Sequence, residues 1–238
     1  MGFYEIAYIV CGILFLVVII IGCIAQNKVN GAYKQYKDTP SSLDLTGAQL
    51  AMKLSNDLNA PITVKECRGT LSDHYNPKDH SLNISSANYN SKSIAAQAIV
   101  AHEFGHALQH ANGYAPLKIR QYIIWLSGFI SKMFFPMIVV GALLDLLVWG
   151  YGGAGSIIIY LVVLLYAVIV FANIATLKVE YDASDRAKKV LVSLGADSQE
   201  EVKATNKLLS AAALTYVSSL LVSIVYLLSI ILMAFDRR

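Results

Sequence analysis

Charge is what this chain has least of. Only 15% of its 238 residues are Asp, Glu, Lys or Arg, against 56% hydrophobic, and so few charges cannot clothe an ordinary water-soluble domain. The apolar excess must meet lipid. A formal net charge of +3, small and dispersed, argues against a nucleic-acid partner. Three cysteines are too few for a disulfide framework: Cys11 and Cys23 fall in the first apolar run and Cys67 stands alone, which is compatible with a reducing compartment. The stretch Met1 to Glu5 has no Lys or Arg, and the apolar run behind it is longer than the core of a secretory signal. Although Ile20-Ile21-Gly22-Cys23 resembles a lipoprotein cleavage box, the run reads as an uncleaved anchor.

Four stretches reach the roughly 20 residues needed to cross a hydrocarbon core of ~30 Å: residues 4–25, 122–149, 156–177 and 208–235. Lys28, Lys34 and Lys37 follow the first, Lys118 and Arg120 precede the second, and Lys178, Arg186, Lys188 and Lys189 follow the third. By the positive-inside rule these ends are cytoplasmic and both termini lie outside, with Arg237 and Arg238 outweighed. The expected organisation is an anchor over residues 1–25, a cytoplasmic domain over 26–121, a transmembrane hairpin over 122–177, cytoplasmic helices over 178–207 and a last transmembrane helix over 208–238. Lys132 and Asp145 are costly in lipid. Lys132 moves the start of the second span toward Met133, and Asp145 reads as a bundle-facing polar residue near the far interface.

Between the spans the pattern is that of a small α+β domain. Thr46 is placed to cap a helix carrying Leu50, Leu54 and Leu58, three candidate core residues, before Asn59-Ala60-Pro61 stops it. Ile62 to Cys67 alternates and is β-branched, so it reads as a strand. His74-Tyr75, the turn-rich Asn76-Pro77-Lys78-Asp79 and the alternating His80 to Ser85 read as a hairpin. Asn90-Ser91-Lys92-Ser93 then initiates a helix that ends at Asn112-Gly113, with Pro116 beyond. After the third span, Val179 to Leu194 fits a helix closed by Gly195, and Ser198 with Glu201 opens another in capping-box form.

The chemistry concentrates in His102-Glu103-Phe104-Gly105-His106. Residues four apart share a helix face, so the two imidazoles can hold one tetrahedral Zn2+. Glu103, rotated by ~100°, points off the ligand line and is placed to take a proton from a water on the metal, whose pKa zinc lowers to ~7. Two imidazoles leave the ion one protein ligand short. His110 lies ~12 Å along the axis from His102, too far to complete the pair's site. The residue at 112 is Asn112, not the histidine of the metzincin pattern. Glu180-Tyr181-Asp182-Ala183-Ser184-Asp185 is the better source, because two intervening spans return it to the side of His102 and His106. Glu180 comes first after the span, whereas Asp182 and Asp185 fall elsewhere on the helix circumference.

Taken together, Ser72-Asp73-His74-Tyr75-Asn76-Pro77, His102 to His106 and Glu180 to Ser184 resemble the YugP-like bacterial membrane zinc metallopeptidases, the neutral zinc metallopeptidase family, over nearly the whole chain. The resemblance implies a gluzincin site with His102, His106 and Glu180 as ligands and Glu103 as base. It extends more loosely to the CAAX-processing and HtpX-type peptidases, whose E-x-x-x-D motif has Asp where this chain has Ser184. Ser184, Asp185 and Asp73 are therefore the candidates to orient a ligand histidine. His74 and Tyr75 are candidates to hydrogen-bond the oxyanion.

The expectation is a mainly α membrane protein, four transmembrane helices with a small α+β cytoplasmic zincin-like domain, acting as a zinc endopeptidase on membrane-associated protein or peptide substrates. A site-2-type intramembrane protease would need the metal helix in lipid, and Gln97, His102, Glu103, His106, Gln109 and His110 make that costly at about 3 kcal/mol per ionised group. Asp145 also lacks the following glycine of that family. A catalytically silent zinc-binding scaffold would have no need of Glu103.

Overall fold

The computed structural model describes residues 2–144, 147 and 153–236. Asp145 and the whole Gly150 to Gly152 stretch lie outside the described residues, as do Arg237 and Arg238. Over its described residues the chain is mainly helical, with one small sheet. In order it runs α1 (Phe3–Tyr36), α2 (Gly47–Asp57), β1 (Thr63–Cys67), β2 (His74–Asn76), β3 (Ser81–Ser85), α3 (Ser86–Tyr89), α4 (Ile94–Ala111), α5 (Ala115–Leu144), α6 (Gly153–Ser193) and α7 (Gln199–Asp236).

Two compact units divide it. The first comprises Met1–Cys23, Lys118–Thr176 and Tyr216–Arg238, the second Ile24–Leu117 and Leu177–Thr215. Within the first, apolar side chains such as Ile13, Leu16 and Ile20 on α1 and Leu164 and Phe171 on α6 are exposed. That is the surface expected of helices whose solvent is lipid. Tyr226 stacks on Tyr166 and touches Phe15, tying α7 to α6 and α1. Among the described residues, three helices are long and apolar enough to cross a membrane: Phe3–Tyr36, Tyr160–Ser193 and Gln199–Leu232. The expected span over 122–149 is helical as far as Leu144, and Pro136 sits inside it.

The helices are longer than the composition suggested. Residues 26–36, expected to open the cytoplasmic domain, continue α1, α6 runs unbroken from the third apolar stretch through the Val179 to Ser193 segment, and α7 joins the segment opened at Ser198 to the last apolar stretch. The reason is that composition changes at these points but the backbone preference does not. Neither Pro nor Gly lies between Ser156 and Leu194, and Gly195, at φ +102°, makes the first break.

In the second unit, β3 is the central strand, parallel to β1 and antiparallel to β2 in a sheet ordered β1-β3-β2. The hairpin register pairs Tyr75 with Leu82 and His74 with Asn83. Leu82 and Ile84 are fully buried and pack with Leu50, Leu54, Val100, Phe104 and Leu191 into one core. Thr46 closes a complete capping box with Gln49 at the start of α2. Leu58 is not core: it is the C-cap of α2 and 43% exposed, because the helix ends one residue before it and the stripe rotates away. Glu201 also departs from the expected box. Its backbone N–H is accepted by Ser198 Oγ, but its carboxylate takes the Ser41, Ser42 and Ser198 hydroxyls and the Ser42 N–H, stapling the segment after α1 onto α7.

What positions the site is α4. Ser93 Oγ accepts the Ala96 N–H and caps the helix, as the sequence pattern indicated. Its Ala95, Ala96, Ala98, Ala101 and Ala107 are all buried, and small side chains let α2, α3 and the sheet pack closely around it.

Candidate metal centre

His102 and His106 stand one turn apart on α4, with ring centroids 5.0 Å apart and planes crossed at 82°. Their Nε2 atoms converge on one oxygen from α6: Glu180 Oε2 lies 3.2 Å from His102 and 3.5 Å from His106. Glu180 is 2% exposed. One ligand atom from each of the three lies within 4.8 Å of the others, the separation a single small cation requires. Burying a carboxylate between two imidazoles is expensive unless charge is matched, and a divalent cation matches it.

Gly105 lets α6 come this near. A Cβ there would stand 2.6 Å from the Ala183 carbonyl oxygen, so only glycine allows the backbones to meet where Glu180 and Ser184 flank the contact. Nothing in the sequence marked Gly105 beyond its place inside the motif, although an interior helical glycine, costing about 1 kcal/mol, is a signal of close approach.

Glu103 leaves the ligand line as its position on the helix dictates. Its Oε2 accepts the backbone N–H of Tyr75 at 3.1 Å, which ties the side chain to strand β2. Burial pushes the Glu103 carboxyl up from its ordinary value, the Glu180 charge adding to this, while His102 and His106 and the Tyr75 N–H pull it down by less. A carboxylate with raised proton affinity is what a general base needs.

The remaining candidates separate. Ser184 Oγ is 3.3 Å from His102 Nδ1, so it stands where an orienting partner belongs. Asp185 instead pairs with Lys188 on the surface. Asp73 accepts the Ser85 N–H and the Asn88 amide, which holds the hairpin to α3. His74 is exposed, with Nδ1 2.9 Å from the Ser72 carbonyl. The Tyr75 phenol bonds His110 Nδ1 at 2.9 Å and reaches His80 at 3.4 Å, and the His80 and His110 rings stack. His110 thus joins a ring cluster and not the Glu180 group, as its distance along the helix predicts.

The family model described as "Putative neutral zinc metallopeptidase" matches residues 11–235. The chain belongs to this family. It is also 37% identical over 217 residues to a protein of Bacillus subtilis (strain 168) described as "Putative membrane protease YugP", covering 90% of this chain and 92% of that one. No solved structure matches the chain.

One residue at the centre went unmarked in the sequence. Gln109, read there only as polar load on α4, is fully buried and bonds His106 Nδ1 at 3.0 Å, the Val179 carbonyl at 2.8 Å and Asp182 at 2.8 Å. Its position three residues beyond His106, on the same face, was the available signal.

Proposed function

We propose that this family member is a membrane-anchored zinc endopeptidase whose site is built by His102, His106 and Glu180 as ligands and Glu103 as general base. The observation that carries the proposal is the convergence of two Nε2 atoms from α4 and one buried carboxylate oxygen from α6, with a second carboxylate, Glu103, beside them but bonded to the Tyr75 N–H. The donor set, two imidazoles and a carboxylate with no fourth protein ligand in the group among the described residues, fits a catalytic zinc site better than a closed structural one. Zinc held there by His102, His106 and Glu180 would polarise a carbonyl oxygen and make a water acidic near neutral pH.

The chain's own residues do the rest. The Tyr75 N–H aims Glu103, which takes the proton of the attacking water and returns it to the departing amine nitrogen. Ser184 steadies His102. β2 is an edge strand beside α4, and an extended peptide adding to that edge would be gripped through main-chain bonds with little regard to sequence. His74 and Tyr75, on the same strand, are the candidates to hydrogen-bond charge developing on the carbonyl oxygen, His74 through its exposed ring and Tyr75 through its phenol only on leaving His110 Nδ1.

The proposal extends to four spans, a cytoplasmic catalytic portion and both termini outside, supported by the flanking lysines and arginines. Tethering then favours substrates that are membrane proteins or lie close to the membrane. The test is metal analysis with proteolysis on the full-length chain in detergent. Glu103→Gln should abolish cleavage and keep stoichiometric zinc, which separates this reading from a silent scaffold, and Glu180→Ala should lose the zinc. Cleavage undiminished in the first variant, or zinc undiminished in the second, would overturn the assignment.

A further inference from the structure

A buried amide beside the ligands carries one step more, resting on the zinc reading above. Gln109 has no exposed surface, so each of its polar groups must find a protein partner or cost free energy. Its Nε2 lies 2.8 Å from the Val179 carbonyl oxygen and 2.8 Å from Asp182 Oδ2. A carbonyl and a carboxylate only accept, so both amide protons are spoken for. Turning the amide over would set its oxygen against two acceptors, and one orientation alone is satisfied. Arg186 Nε, 2.6 Å from the same Asp182 oxygen, holds the carboxylate where it is.

Gln109 Oε1 then faces His106 Nδ1 at 3.0 Å, and an amide oxygen can bond only an N–H. Of the two acceptors flanking the ring, Gln109 Oε1 at 3.0 Å and Glu180 Oε2 at 3.5 Å, the nearer takes the single proton of the neutral imidazole, which places it on Nδ1 and leaves the Nε2 lone pair for a cation beside Glu180. His102 is held differently: its Nδ1 meets Ser184 Oγ at 3.3 Å, and a hydroxyl donates or accepts as required. We infer that Gln109, clamped by Asp182 and the Val179 carbonyl, is a positioning residue that fixes the tautomer and ring plane of His106 for metal binding. Asp182 accordingly serves the metal through two successive hydrogen bonds, not as a ligand.

The test uses the full-length chain in detergent micelles. With only five histidines in the sequence, 15N labelling of histidine resolves the His106 nitrogens in the metal-free protein at alkaline pH. Wild type should show the proton on Nδ1, and Gln109→Met, similar in length but without the acceptor, should show a mixture. Zinc affinity, read by chelator competition, should fall roughly tenfold to a hundredfold in Gln109→Met. Asp182→Asn, which still offers Gln109 an oxygen, should stay close to wild type, and Asp182→Ala should not. A wild-type proton on Nε2, or unchanged zinc affinity in Gln109→Met, overturns the inference. The tautomer is read on metal-free wild type, so it judges Gln109 even if the variant does not fold. Loss of the zinc reading itself would show separately, as undiminished zinc in Glu180→Ala.

Discussion

Adding one methyl group at Gly105 tests whether the approach of two helices, more than the identity of the ligands, sets the site. In Gly105→Ala the new Cβ would lie 2.6 Å from the Ala183 carbonyl oxygen and 3.2 Å from its Cα, so α4 and α6 must part by roughly 0.8 Å to regain ordinary contact near 3.4 Å. Glu180 and Ser184 flank Ala183 and move with it. Their contacts to His102, now 3.2 Å and 3.3 Å, would stretch to about 4 Å, beyond hydrogen-bond reach. A tetrahedral zinc ~2.1 Å from each ligand atom needs those atoms ~3.4 Å apart, so the strain falls on metal binding. The fold suffers less. Overpacking costs about 1–3 kcal/mol, and replacing a helical glycine by alanine returns about 1 kcal/mol. Chelator competition should show zinc bound at least about tenfold more weakly, while thermal unfolding of the metal-free chain shifts little. A variant with wild-type zinc affinity would refute the reasoning, since the helices would then have parted without disturbing the ligands.

Ser184→Asp should tighten zinc, because a carboxylate accepts from His102 Nδ1 where the present hydroxyl, at 3.3 Å, bonds weakly and without preference for a tautomer. Chelator competition again decides, and weaker binding would mean that the pocket has no room for a second charge near Glu180. Away from the site, the Lys65 ammonium and the Ser81 hydroxyl hold the Asp79 carboxyl down to about 2. Its folded value is lowered, so its contribution is fully present above its ordinary value near 3.8 and is lost as pH falls through about 2. Acid unfolding of wild type and Asp79→Asn should therefore converge over that window. The difference should shrink with added salt, because the pair is exposed; identical acid profiles would contradict the assignment.

Local rules carried far in the second unit. The Thr46 and Ser93 caps, the strand beginning near Thr63, the hairpin across Asn76 to Asp79 and the end of α4 at Asn112 each depend on a few adjacent residues, and each is where composition placed it. Helix lengths were read less well. Hydropathy marks where a helix changes solvent, not where its hydrogen bonds stop, so α1, α6 and α7 continue past the apolar stretches on which they were first recognised. The parallel pairing of β1 with β3 was also hidden, because which strand lies in the middle depends on contacts distant in sequence.

The same division runs through the metal centre. His102, Glu103 and His106 are legible because helical periodicity alone brings them together, whereas Glu180, 78 residues from His102, needs α6 to arrive at one height and one rotation on α4. Topology and family resemblance pointed to the stretch that meets the two imidazoles, and among its acids the geometry separates three fates. Glu180 faces both imidazoles, Asp182 turns to Gln109 and Arg186, and Asp185 turns to Lys188. At 3.6 residues per turn those rotations were available from the sequence, but the side of the helix facing α4 was not. Gln109 was further out of reach. An amide donates and accepts equally well, so its role follows only once Val179 and Asp182 have claimed its nitrogen and left its oxygen for His106. A sequence names the ligands of such a site more readily than it names what keeps them aimed, since aim is set by groups whose chemistry is ambiguous until their neighbours are known.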